Sequence, residues 1–572
     1  MKKNLAKKVT LSILAGAVLM SSSVVWAAQI IEPEPKIYWE YRDGIGGFVR
    51  LLPANTKGDV SLVIEDYRDL DSSEAFYGAT SIDEYGPAAN GIVTINDSIG
   101  DEYTFTGGIY GGRAFISGED ASGSDANYNK VFITTSKATI SMSGVYGGYS
   151  DGGSVEKNSV TIEAGTFSMS GVYGGDADDG NAKGNSVTIN KGDFSYCKIT
   201  GGSADGGYAE GNSVTVTGGT FSDPEITGGV AYDGNAEGNS VTVTGGTFSG
   251  YIVGGFAYDG NAEGNSVTIT GGTFTDCEIV GGYSDGGNAK DNTITISGSA
   301  ELANASLIGG VSHLFSRMRA AVGGDSGSGG EVSGNVLNFG ISEDTIKTLK
   351  DKGVDTSKLK VSPWFGKVGS IRGFNSINFD NIVWEKDGTV VEVTEKLELS
   401  DTEIKVGTVN VDGGTELANG DKMALISASD ISGEISNNGE EVVINKGIAE
   451  QFNGSVEQNN TDKKIYLKLG DGPDEGYTVP GGSTRNDQVL VLGESRAAAT
   501  AFTNQGSELI ETGLDALARD NEKDTKVFAA VYGNHSEYET GSHVNVNGWS
   551  GIVGIGKTNA NGLTVGAFFE NG

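Results

Sequence analysis

The chain has 572 residues, a formal net charge of −36, 91 glycines and 8 prolines. Such a charge repels nucleic acid and excludes recognition through a basic patch, while glycine without a three-residue period or abundant proline excludes collagen. Three histidines and two cysteines leave little material for a metal centre or a nucleophilic triad, so no catalytic residue, cofactor or metal is assigned.

In chain order, Lys2, Lys3, Lys7 and Lys8 precede a mostly apolar stretch at 9–19, and Val25-Trp26-Ala27 forms a small-residue cleavage site before Ala28. Residues 1–27 therefore read as a secretory signal peptide, too short for a spanning anchor. Loss of its four lysines takes the mature chain to about −40, a solvated surface for a long exposed protein. Residues 28–115 carry weaker strand signals, including Phe105-Thr106-Gly107-Gly108-Ile109-Tyr110-Gly111-Gly112, and read as the start and cap of a repeat array.

Residues 116–300 hold the regular repeat. Asn158, Asn185, Asn212, Asn239, Asn265 and Asn292 recur at intervals of 27, 27, 27, 26 and 27, and the pairs Gly174-Gly175, Gly201-Gly202, Gly228-Gly229, Gly254-Gly255 and Gly281-Gly282 keep the same phase. Two places after each Asn stand Val160, Val187, Val214, Val241, Val267 and Ile294; two further on stand Ile162, Ile189, Val216, Val243, Ile269 and Ile296. This period of two is that of a strand. A third column holds Phe167, Phe194, Phe221, Phe248 and Phe274, and a fourth Val172, Ile199, Ile226, Ile252 and Ile279.

A short unit rich in strands and turns predicts one coil of a β-solenoid, in which the four columns become interior ladders. One coil buries too few apolar side chains to offset its own ordering, so the coils must stack and the ends must be capped. The repeat Asn is expected to occupy a turn in preference to an amide ladder. Cys197 and Cys277 occupy the same position of their units, three coils and roughly 14 Å apart, which excludes a disulfide between them.

Residues 301–470 continue the array in degenerate form, with strands expected around 391–393, 404–409 and 464–469 and a short helix near 343–353. A Gly/Pro-rich linker follows at 471–494. Residues 495–520 predict a helix of about 25 residues, too polar for lipid and suited to a polar lumen. From 525 to 572 the pattern alternates again: Trp549, Gly551, Val553 and Ile555 share one strand face, as do Leu563, Val565, Ala567 and Phe569.

Val527-Phe528-Ala529-Ala530-Val531-Tyr532-Gly533, Tyr538-Glu539-Thr540-Gly541-Ser542, Val546-Asn547-Gly548-Trp549, Gly554-Ile555-Gly556 and residues 563–570 resemble the opening of the autotransporter (type V secretion) β-barrel. Residues 416–426 resemble the end of that family's passenger. The resemblance implies an all-β chain: a right-handed parallel β-helix passenger, a linker helix in the pore, and an antiparallel barrel in the outer membrane of a Gram-negative cell. It implies export through the Sec machinery, insertion by the barrel-assembly machinery, and a passenger displayed at the cell surface against host or neighbouring-cell ligands. The family barrel has 12 strands, and about three fit before Gly572; the barrel is expected to be truncated here and, as written, not to insert.

Two segments suggest chemistry. Gly324-Asp325-Ser326-Gly327-Ser328 resembles a serine-protease nucleophile loop, but its only upstream histidine, His313, is too near in sequence for a trypsin-like domain to fit between them, and the segment aligns with an ordinary repeat turn. Asp151, Asp178, Asp179, Asp205, Asp233, Asp259 and Asp285 form an acidic column that lacks the calcium-solenoid pattern and reads as solvated turns. The expected function is a non-enzymatic adhesin or aggregation factor; a polysaccharide-acting β-helix enzyme and a structural stalk are the alternatives.

Overall fold

The computed structural model describes residues 38–42, 47–51, 60–64, 75–81, 88–96, 103–114, 125–312, 330–351, 356–357, 359–412, 415–446, 450–470, 483–485, 511, 515, 525–539, 543–558 and 564–571. The expected signal peptide at 1–27, the expected linker at 471–494 (apart from Ser483–Arg485), the protease-like segment with His313, and the expected helix at 495–520 (apart from Glu511 and Asp515, both helical) lie outside them. The chain divides into two units, Met1–Gly58 and Asp59–Gly572. In the first, Tyr38–Arg42 and Gly47–Leu51 form an antiparallel hairpin.

The second unit holds a β-solenoid of parallel coils. The coil beginning at Asn212 shows the plan: Ser213–Val216, a glycine turn, the long strand Thr220–Ala231, an Asp-Gly-Asn turn, and the two-residue strand Ala236–Glu237. Each strand pairs in parallel with its counterparts one coil before and after. Among the described residues, the equivalents of Ser213–Val216 make one continuous 12-stranded sheet, from Val60–Ile64 to Glu403–Val406. Val160, Val187, Val214, Val241, Val267, Ile294, Leu337, Ile377 and Ile404 lie in unbroken register along it.

The register turns sequence columns into physical ladders. All four predicted columns are buried and belong to one core. Phe167, Phe194, Phe221, Phe248 and Phe274 stack face to face, with centroids 4.6, 4.8, 4.6 and 4.8 Å apart and rings within 9° of parallel. These separations are the strand spacing itself, so the backbone ladder sets the ring geometry. Cys197 and Cys277 are free and buried in the same core.

The repeat asparagine departs from expectation: it forms an amide ladder. Asn158 donates from Nδ2 to Asn185 Oδ1 at 3.0 Å and to the Ala126 carbonyl at 2.7 Å, while its backbone N–H donates to the same Asn185 oxygen. The pattern repeats through Asn185, Asn212, Asn239, Asn265 and Asn292, every one fully buried. The turn is made by the residue before it: Gly184, Gly211, Gly238 and Gly264 have φ between +62° and +64°. The spacing alone could not separate the two roles, because turn and ladder residues are adjacent.

The degenerate region keeps the plan. Asn335 takes the ladder position after Asn292 although 43 residues separate them. The insertions are placed in turns: a helix, α1 (Glu343–Asp351), leaves the stack after Val336–Phe339 and packs Leu349 against Ile341 and Leu359. Two strands end the parallel stack: Lys422–Ser432 is parallel to Thr389–Glu398 and antiparallel to Lys464–Leu469, and Glu441–Lys446 is parallel to Val409–Val411 and antiparallel to Glu450–Asn459. Glu441–Lys446, Glu450–Asn459 and Lys464–Leu469 form an antiparallel meander, which closes the growing edge of the parallel stack.

At the C-terminal end, Thr525–Glu539, His543–Thr558 and Thr564–Asn571 form an antiparallel three-stranded sheet. Pairing of Val527 with Ile555 and Ala567, and of Ala529 with Val553 and Phe569, places these six residues on one face. No described helix is long and apolar enough to cross a membrane, which says nothing of strands.

Candidate functional site: a groove at the double-glycine bend

The paired glycines build a concave line along the solenoid. A Cβ on Gly174 would lie 2.3 Å from the Gly201 carbonyl oxygen of the next coil, and one on Gly175 would lie 2.6 Å from the Asn185 amide. Both positions therefore face inward, which interrupts the alternation of the strand. The residues on either side both face outward and lean together: the rings of Tyr146 and Tyr149, which flank Gly147-Gly148, have centroids 5.4 Å apart.

Two outward columns line this groove. Before the glycines run Tyr77, Tyr110, Tyr146, Tyr173, Thr200, Thr227, Val253, Val280 and Ile308; after them run Arg113, Tyr149, Asp176, Ser203, Val230, Phe256, Tyr283 and Val311. The chemistry changes along the groove from aromatic and charged, through hydroxyl, to apolar. In the last part Val230, Val253, Phe256, Val280, Tyr283, Ile308 and Val311 form a cluster of their own, separate from the interior core, with Tyr232 and Tyr258 against it. Beyond it, Ile308, Val311, Arg372, Phe374, Glu398 and Ser400 line a cavity of about 370 Å³.

The first part is built from stacked phenols. Tyr77, Tyr110, Tyr146 and Tyr173 follow one another at 5.0, 4.8 and 5.1 Å, nearly parallel. The Arg113 guanidinium lies 5.1 Å from the Tyr110 ring and 4.9 Å from the Tyr149 ring, with Asp151 at 3.6 Å. Tyr149 donates its hydroxyl proton to Asp178 at 2.8 Å. Burial pushes the Tyr110 and Tyr173 phenols up to about 12, so they stay protonated and keep a donor.

Between the phenols and the apolar cluster the groove is bridged. Lys198, two places before Thr200, reaches Tyr232, two places after Val230, with a 3.3 Å hydrogen bond and its ammonium 5.9 and 5.8 Å from the Tyr173 and Tyr232 rings. Burial alone would lower its pKa, but Tyr173, Glu225 and Tyr232 outweigh that and hold it raised. Asp176 is also displaced from its ordinary range: burial, against a hydrogen bond from Ser203 and the charge of Lys198, raises its carboxyl to about 7.

The acidic column lies in the turn just beyond. Asp205 and Asp233 follow in adjacent coils, the Asp233 N–H donating to the Asp205 carbonyl at 3.0 Å. Burial first, then the charge of Asp178, raises the Asp205 carboxyl. Among the described residues no three His, Cys, Asp or Glu side chains converge in a way that could hold a metal ion. Strand periodicity does not reveal the groove, although the sequence carries its signal. Tyr146, Tyr173, Val253 and Val280 each sit just before a glycine pair, one place after an interior residue, where a regular strand would put a solvated polar side chain.

No protein-family model matches this sequence, and no curated protein or solved structure matches the chain.

Proposed function

We propose that the chain is an autotransporter: an exported protein whose β-solenoid is the surface-displayed passenger and whose C-terminal strands belong to an outer-membrane barrel. The observation that carries this reading is the apolar face of the C-terminal sheet. Val527, Val531, Val553, Ile555, Val565 and Phe569 lie on it and are 50–74% exposed. An apolar face of that size on strands of 15 and 16 residues suits lipid and the wall of a barrel. The basic-then-apolar N-terminus and the resemblance of residues 527–570 to the autotransporter barrel support the same reading.

The passenger acts as an adhesin or aggregation factor, with the groove as its contact surface. A long groove that presents two outward positions in every coil suits recognition of an extended partner. A polysaccharide-acting enzyme and a plain stalk are the competing readings. Expression of the full-length gene product in a Gram-negative host tests the proposal. Solenoid epitopes should be accessible to antibody and protease on intact cells, and cells displaying the protein should adhere or aggregate. Recovery of the protein only from the cytoplasm would sink it.

A further inference from the structure

The groove contains polar groups that the fold itself leaves unused. Thr200 is fully buried on the groove floor, in register between Tyr173 and Thr227, and its Oγ1 has no hydrogen-bond partner. The Tyr283 hydroxyl, at the apolar end, is also buried and unpartnered. A buried hydroxyl without a partner costs folding free energy, and native structures hold few of them. Tyr283 lies beyond the polar part of the groove, among the apolar side chains; within the polar part, Thr200 points to a ligand that completes it.

The surrounding chemistry narrows what that ligand is. The tyrosine rings are stacked on one another, so their faces are occupied and only edges and hydroxyls face outward. A flat aromatic ligand has nowhere to stack. Asp151, Asp176, Asp178 and Asp205 oppose an acidic chain, while Arg113 and Lys198, lying against the tyrosines, oppose a cationic one. The outward positions recur once per coil, so the partner is a chain with a short repeat.

We propose that the groove from Tyr110 to Thr227 binds an uncharged glycan chain lying along the solenoid axis, its hydroxyls bonding Thr200, Lys198 and the tyrosine hydroxyls. The proposal rests on the groove's being the adhesive surface. Ligand hydroxyls replace Tyr232 as the partner of the Lys198 ammonium and supply the partner that Thr200 lacks.

Calorimetric titration of the full chain with soluble gluco-, manno- and galacto-oligosaccharides of increasing length tests it. Affinity is expected to rise with length for at least one series. Thr200→Val, which keeps shape but removes the hydroxyl, should weaken that binding about tenfold while leaving thermal stability equal or higher. Tyr173→Phe, which keeps the stack, should weaken it as well. Absence of binding in all three series, equal binding by both variants, or binding confined to sulfated, uronate or amino glycans overturns the proposal. Cells that display the protein separate the two levels: adhesion without sugar binding removes the glycan alone, whereas loss of adhesion removes the adhesive groove too.

Discussion

Asn212 shows how much one side chain holds. Its Oδ1 accepts from the Asn185 backbone N–H and side-chain amide, and its own Nδ2 reaches the Ala182 carbonyl and Asn239. Asn212→Ala leaves buried donors and an acceptor in two coils without partners, and we expect a loss of about 2–4 kcal/mol in denaturant unfolding. Asn212→Asp should rescue little, because the carboxylate lacks the amide donor. Asp176 gives a pH-dependent counterpart. Its folded-state pKa of about 7 lies above the ordinary 3.8, so the folded protein holds a proton that the unfolded chain releases first. That contribution is fully present below the unfolded value and is lost as pH rises through about 7. Thermal melts of wild type and Asp176→Asn between pH 4 and 8 should therefore diverge, the wild type losing more; parallel curves would contradict the burial assigned to this carboxyl.

At the scale of the coil, glycines that look alike in sequence do different things. Gly201 faces the Gly228 carbonyl oxygen, 2.3 Å from where a Cβ would stand, and the Ser213 backbone lies as close on the other side at 2.6 Å. Gly211 has φ +62° but nothing within 4 Å of its Cβ position. Gly201→Ala should thus force two coils apart and cost several kcal/mol, whereas Gly211→Ala costs only the left-handed backbone preference, about 1 kcal/mol. Chemical denaturation of the two variants checks this; equal losses would show that the bend is not set by backbone contact. The Phe ladder belongs to the same scale. Phe221→Ala removes a ring stacked on both sides, with an expected cost of about 3–5 kcal/mol.

For the solenoid as a whole, the coil is the unit of tolerance. Deleting residues 212–238 removes one full coil and brings Gly211 next to Asn239, so every ladder can reform. Deleting only the first half of that segment would put polar positions in the core. The first variant should unfold cooperatively at a slightly lower temperature and the second should fail to fold, as read by circular dichroism. The two cysteines check the register independently: buried three coils apart, both thiols should react only after unfolding, and a monomer that shows no titratable thiols even when unfolded without reductant would refute the stacking.

The regular recurrence of the Asn, with its Val, Ile and Phe columns, was enough to specify parallel coils and an apolar interior, because a repeat that cannot bury its own face has to stack. The strands at 391–393 and 464–469 and the helix near 343–353 were legible for the same local reasons. The role of the repeat Asn and the groove were not. Whether an amide turns the chain or bonds the next coil depends on where the equivalent residue of that coil places its carbonyl. Whether Tyr173 and Asp176 share a face depends on both intervening glycines pointing inward. Periodicity determined what is stacked; only the tertiary structure decided which way each bend faces, because that is set by close backbone contact between coils, which no single coil carries.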